Sequence, residues 1–218
     1  MTCKRKVNDA HIVPAKKSGK RRTYHHGDLR RALIEASLEV IAEVGPEHFT
    51  LRDIARRLGV APSAPYRHFA DKEAVLAAVA AECSERLGAA MDEADAAAGG
   101  DAVQMFRLSG VAYVRFAVEN PEHFRVMNMP SVAAKTQLSA GVDDWMQNVI
   151  ARLTAARAAG TLADLPVEQI LLASRALTYG LSRLIVDAQD GLGDLSPDQA
   201  AELAERVTEV LGVGLLPR

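Results

Sequence analysis

Between Ala61 and Lys72 the chain offers small side chains, then polar and cationic ones: Ala61, Pro62, Ser63 and Ala64, followed by Tyr66, Arg67, His68 and Lys72. Small residues let a backbone come close to the edge of a base pair, and tyrosine and histidine donors suit phosphate oxygens. Arg67 is the side chain of this stretch that can reach guanine with two parallel hydrogen bonds; an ionic grip on phosphate is the other role open to it. The chemistry on offer is recognition of a polyanion, with no nucleophile and base placed together.

Such a stretch needs a rigid mount, and the residues before it supply one. Thr50 is a good N-cap, with Asp53 three residues on in the capping-box position. Leu51, Ile54, Ala55 and Leu58 form the apolar face of a short helix that Gly59 stops. Gly59 supplies the left-handed corner of a helix-turn-helix, Val60 anchors the turn, and Ala55 is small where two helices must approach. Pro65 has to lie in the first turn of the following helix, expected over 62–69, because a proline deeper inside costs about 3 kcal/mol. That helix is presented outward, as a major groove requires.

Helical periodicity extends through most of the remainder. A first helix is expected from Asp28 to Val44, with Leu29, Leu33, Ala36, Val40 and Ile41 on one stripe and Gly45-Pro46 as its stop. Asp71 caps a long helix from Lys72 to about Ala98, and Gly99-Gly100 breaks it. Further helices are expected near 101–119, 122–128, 132–159, 167–189 and 197–213, separated by Pro and Gly. There is no internal repeat and no hairpin signal. The expected fold is all-α: a three-helix unit carrying the helix-turn-helix, then a larger helical domain. The expected divisions are a flexible basic arm at 1–23, a DNA-binding domain at 24–72 and a body at 73–218.

Charge divides the chain in the same way. Residues 1–72 hold 15 Lys+Arg against 8 Asp+Glu, whereas 73–218 hold 11 against 20. A basic end on an acidic body suits a polyanionic partner, although a solvated tail has the same composition. The arm carries Lys4-Arg5-Lys6, Lys16-Lys17 and Lys20-Arg21-Arg22 without a periodic apolar position. It can follow a phosphate backbone, enter a minor groove, or serve as a solubilising tail.

Several function classes find no support. No apolar run approaches the ~20 residues that span a bilayer, and no apolar segment follows the basic start as in a secretory signal. A cytoplasmic protein without a membrane partner is expected. Cys3 and Cys83 make no CxxC, and His25-His26 have no further ligand spaced to join them, so no metal or cofactor is expected. Asp143 and Asp144 are adjacent, hence about 100° apart on a helix and unable to work as an acid–base pair. No GxSxG, HExxH, Walker or GxGxxG motif occurs, and no enzymatic activity is expected.

The set Thr50-Leu-Arg-Asp-Ile-Ala, Gly59-Val60, Tyr66-Arg67-His68-Phe69 and Asp71-Lys72-Glu73, preceded by Tyr24-His25-His26-Gly27-Asp28-Leu29-Arg30, resembles the TetR family of transcription regulators. The resemblance covers residues 24–80, with Pro65 standing where Leu or Ile is common. It implies a homodimer on double-stranded DNA. It further implies that Thr50 and Arg52 contact phosphate or base edges, that Ala61, Pro62, Ser63, Ala64 and Arg67 face the groove, and that Tyr66, His68 and Lys72 hold the backbone. Phe69, Ile54 and Leu58 read as core.

The body resembles the family more faintly, through Tyr113 to Phe124. The resemblance implies that the apolar faces at 167–189 and 197–213 pair with their copies in the dimer; completing the core of a monomer is the other role open to them. Phe106, Tyr113, Phe116, Phe124, Met127 and Trp145 concentrate aromatic and thioether side chains suited to an adaptable pocket for a small-molecule effector, and equally to an ordinary core. The expected activity is ligand-responsive regulation of transcription, with repression relieved when an effector releases the protein from a palindromic operator. The alternative is a nonspecific architectural DNA-binding protein, whose affinity falls with salt for every sequence alike.

Overall fold

The computed structural model describes residues 26–133 and 140–214. The described residues form helices and turns in the order α1 (His26–Val44), α2 (Leu51–Leu58), α3 (Lys72–Ala97), α4 (Ala102–Glu119), α5 (Pro121–Met127), α6 (Pro130–Ala133), α7 (Ala140–Ala158), α8 (Val167–Val186) and α9 (Pro197–Gly214), with a 3-10 turn at Pro65–Arg67 between α2 and α3. The basic arm, Tyr24 and His25 lie outside the described residues.

Local signals place most helix ends where the sequence puts them. Asp71 accepts a hydrogen bond from the Ala74 amide at 2.8 Å and starts α3. Asp101 does the same for α4, accepting from Val103 and Gln104. The helix expected over 132–159 is described in two pieces, α6 up to Ala133 and α7 from Ala140, and residues 134–139 lie outside the described residues. Two expectations are corrected. The helix expected to reach 189 ends at Val186, because the chain turns left-handed at Ala188 (φ 54°) and Asp190 (φ 52°). The other, at residues 62–69, concerns the turn after the Gly59 corner.

The N-terminal core packs Leu33, Ile41, Phe49, Ile54, Phe69, Val75 and Val79, drawn from α1, α2, α3 and the loops between them. Val126 of α5 and Val132 of α6 belong to this same cluster. Helices α5 and α6 therefore share apolar contacts with α1 and α2 beyond those made by the continuous helix α3. In the body, α4 is central, packed against α3, α8 and α9. Gly110 permits this: a Cβ there would lie 3.1 Å from the methyl groups of both Thr178 on α8 and Thr208 on α9.

Candidate nucleic-acid interface

Helix α2 begins with a reciprocal cap. The Thr50 hydroxyl donates to Asp53 Oδ2 at 2.6 Å, the Thr50 amide donates to the same carboxylate oxygen at 3.0 Å, and the Asp53 amide donates back to Thr50 Oγ1 at 3.2 Å. The Thr50 hydroxyl foremost, then its amide and Arg56, hold the Asp53 carboxyl below its ordinary value against a smaller opposing effect of burial. Gly59 closes the helix in the left-handed region (φ 72°), and its amide and that of Val60 reach back to α2 carbonyls. Arg57 anchors α2 to α1 through ion pairs with Glu39 at 3.1 Å and with Glu43. A groove of about 340 Å³ between α1 and α2 is lined by Arg57 and Glu39 together with Arg31, Glu35 and Leu58.

Beyond the corner, an α-helix was expected over 62–69. The structure instead has successive i→i+3 turns: the Ala64 amide donates to Ala61 O at 2.9 Å, Arg67 to Ala64 O at 3.2 Å and His68 to Pro65 O at 2.9 Å. Pro62 and Pro65 have no amide to donate, so a continuous i→i+4 ladder cannot form across them. Only the Phe69 amide, bonded to Pro65 O, completes a helical spacing. Pro65 itself is buried and takes part in seating the turn.

The turn leaves an outward face. Ala61, Pro62 and Ser63 are exposed, Ala64 is half-buried, Tyr66 is 53% exposed, and Arg67 projects into solvent. Arg52 and Thr50, at the start of α2, are exposed as well. Arg52 and Arg67 make no ion pair among the described residues, whereas Arg56 is paired with Asp53 at 2.8 Å. His68 is half-buried. Lys72 is held more tightly than the sequence suggests: its ammonium donates to the Glu47 carbonyl and sits 5.0 Å above the Phe49 ring. Phe69 and Ile54 are buried, and Leu58 packs against the same core. Arg57, Glu47 and Phe49 were not singled out from sequence; their roles depend on neighbours brought close by folding.

In the body, the residues considered for an effector do come together. Tyr113, Phe116, Met127 and Trp145 pack with Cys83, Leu87 and Met91. Phe124 is fully buried and meets the rings of Tyr113 and Tyr179 at 6.0 Å each. Phe106 lies in the adjoining cluster, which Trp145 also touches. Helix α5 faces two ways: Met127 meets the Cys83 sulfur at 3.5 Å, and Val126 enters the N-terminal core with Leu33 and Ile54. Among the described residues no helix is long and apolar enough to cross a membrane, and no group of His, Cys, Asp or Glu is placed to hold a metal.

Known proteins share both halves of this arrangement. Residues 33–79 match the family described as bacterial regulatory proteins, tetR family. Residues 106–211 match the tetracyclin repressor-like C-terminal domain. A solved structure from Rhodococcus sp. RHA1, described as a protein with unknown function, is 30% identical, covers 90% of this chain and 100% of its own, and superposes with a TM-score of 0.69. PfmR, a TetR family transcriptional regulator from Thermus thermophilus, is 25% identical over 87% of this chain and 96% of its own, with a TM-score of 0.62. A regulatory protein in the tetR family from Rhodococcus RHA1, 23% identical over 84% and 95%, shares the fold at a TM-score of 0.65. The chain belongs to the TetR family of bacterial regulatory proteins, ligand-responsive DNA-binding repressors of transcription.

Proposed function

We propose that a dimer of this chain reads a palindromic operator through the turn at 61–68 and releases it when a small apolar molecule occupies the body. The observation that carries this reading is the outward face of that turn, with small Ala61, Pro62 and Ser63 beside exposed Tyr66 and Arg67, on a mount braced by the Thr50–Asp53 cap and the Arg57 ion pairs. Ala61, Pro62, Ser63, Ala64 and Arg67 approach the base edges in the major groove. Thr50, Arg52, Tyr66, His68 and Lys72 seat the phosphates, and residues 24–72 act as the reading head of a body spanning 73–218. The dimer forms through α8 and α9, where Leu172 (68% exposed) and Val210 (75% exposed) leave apolar surface uncovered in the single chain.

The effector lodges among Tyr113, Phe116, Phe124, Met127 and Trp145, with Phe106 alongside. A ligand there favours one of two packings of α5, and Val126 and Val132 carry the difference into the core under the reading turn. Affinity selection of duplexes by the purified protein tests the reading. Recovery of one palindrome, with two half-sites about 34–36 Å apart, is the expected result. Binding without sequence preference would replace it with the architectural reading. Light scattering that finds a monomer, or a Leu172→Glu variant that leaves a dimer intact, would remove the α8–α9 interface.

A further inference from the structure

A buried hydrogen-bond donor is almost always partnered, because an unpaired one has given up its bonds to water for nothing. In the body, Trp145 Nε1 and Ser109 Oγ are shut off from solvent and have no hydrogen-bond partner among the described residues. The packing places both at one seam. On α4, Met105, Ser109, Ala112 and Phe116 follow at three- and four-residue steps and so share a face. Met105 packs in the cluster with Val149 and Leu153 of α7, whereas Ala112 and Phe116 pack in the cluster with Cys83 and Leu87 of α3. Ser109, only 6% exposed, stands between them on that face. Trp145 belongs to both clusters. The two unpartnered donors therefore flank the same junction of α3, α4 and α7, which pack against one another.

The surroundings set the kind of group that can satisfy them. The two clusters are built of aliphatic, thioether and aromatic side chains. Charged groups at the border are already paired: Arg152 of α7 with Asp95, and Arg86, beside Cys83, with Glu82. An apolar setting penalises an unpaired carboxylate but admits a neutral carbonyl, whose oxygen has lone pairs for two donors. We propose that the effector is a neutral apolar molecule bearing a carbonyl oxygen, which accepts from Trp145 Nε1–H and Ser109 Oγ–H. The inference rests on the reading that the effector lodges among these helices, and it adds the chemistry by which the ligand is chosen. An apolar ligand without the oxygen can fill the same space, but it leaves both donors unsatisfied. Arg152 Nη2 also lacks a partner and marks the competing chemistry, a carboxylate held seven residues, or about 10.5 Å, further along α7.

Trp145 is the single tryptophan of the chain, so isotope labelling of indole nitrogen gives one N–H signal that reads the bond directly. The full-length protein is titrated with acetophenone, with isopropylbenzene, in which a methyl group stands in for the carbonyl oxygen, and with benzoate. Calorimetry supplies the affinities. Acetophenone should move the indole proton downfield of its position with isopropylbenzene. Trp145→Phe and Ser109→Ala should each weaken acetophenone by about fivefold to tenfold, and isopropylbenzene by less than about twofold. Retained isopropylbenzene binding also shows that the variants keep their fold. Equal losses for the two ligands, or none for acetophenone, overturn the proposal and leave the effector reading in place. Benzoate binding more tightly than acetophenone, with that advantage lost in Arg152→Gln, overturns it in favour of a carboxylate. If none of the three binds, the proposal and the placing of the effector fall together.

Discussion

Thr50 and Asp53 bond each other three times across a single turn, through hydroxyl to carboxylate, amide to carboxylate and amide to hydroxyl. Together these satisfy amides that the first turn of α2 would otherwise leave to water. The cap starts α2, which ends at the Gly59 corner just before the turn at 61–68.

Removing either partner should therefore loosen the reading head. Thr50→Ala is expected to cost about 1 kcal/mol in urea unfolding at neutral pH. Asp53→Asn should cost less at acid pH than at neutral pH. The folded Asp53 carboxyl titrates below its unfolded value of 3.8, so its stabilisation is present above that value and lost as pH falls through the folded one. A constant difference between Asp53→Asn and the wild type from neutral to strongly acid pH would show that the carboxylate contributes nothing.

Tyr66 and Lys72 should behave differently although both are assigned to the DNA backbone. Tyr66 is 53% exposed, so Tyr66→Ala should weaken binding to every duplex and leave the unfolding midpoint unchanged. Lys72 is bonded to the Glu47 carbonyl and stacked on Phe49, so Lys72→Ala should lower both affinity and thermal stability. Arg67→Ala should relax preference at one base pair per half-site in a repeated selection. Unchanged affinity in Tyr66→Ala would refute the docking geometry.

Gly110→Val should destabilise the body by roughly 1–3 kcal/mol, since a Cβ already meets the Thr178 and Thr208 methyls at 3.1 Å and two further methyls have no room. The neutral outcome in thermal unfolding would mean that α4 can move away from α8 and α9 at little cost.

Cys83 is fully buried, and burial pushes its thiol pKa up to about 12. A thiol reagent at neutral pH should leave Cys83 unmodified in the native protein and modify it after unfolding. Rapid native labelling of Cys83 would indicate that the packing around Met127 and Trp145 opens readily.

Sequence by itself determined the features that act within a few residues of chain. The Thr50–Asp53 cap, the Asp71 cap, the Gly59 corner and the stop at Gly45-Pro46 are i to i+3 or single-residue effects, and the helix ends they set agree with the structure. The reading turn shows the edge of that reach. Pro62 and Pro65 are visible in the sequence, and their missing amides break the i→i+4 ladder, yet the burial of Pro65 in seating the turn is decided by packing. Only the tertiary structure decided contacts between distant residues. Arg57 meets Glu39 and Glu43 across two helices, Lys72 meets a carbonyl 25 residues away, and Arg125 donates to the Val186 carbonyl 61 residues away. The two faces of α5 belong with these, because Phe124, Val126 and Met127 are one apolar cluster in sequence and separate only when different neighbours pack around them. Local backbone geometry carries the first kind of information; the second exists only after chain closure brings the partners together.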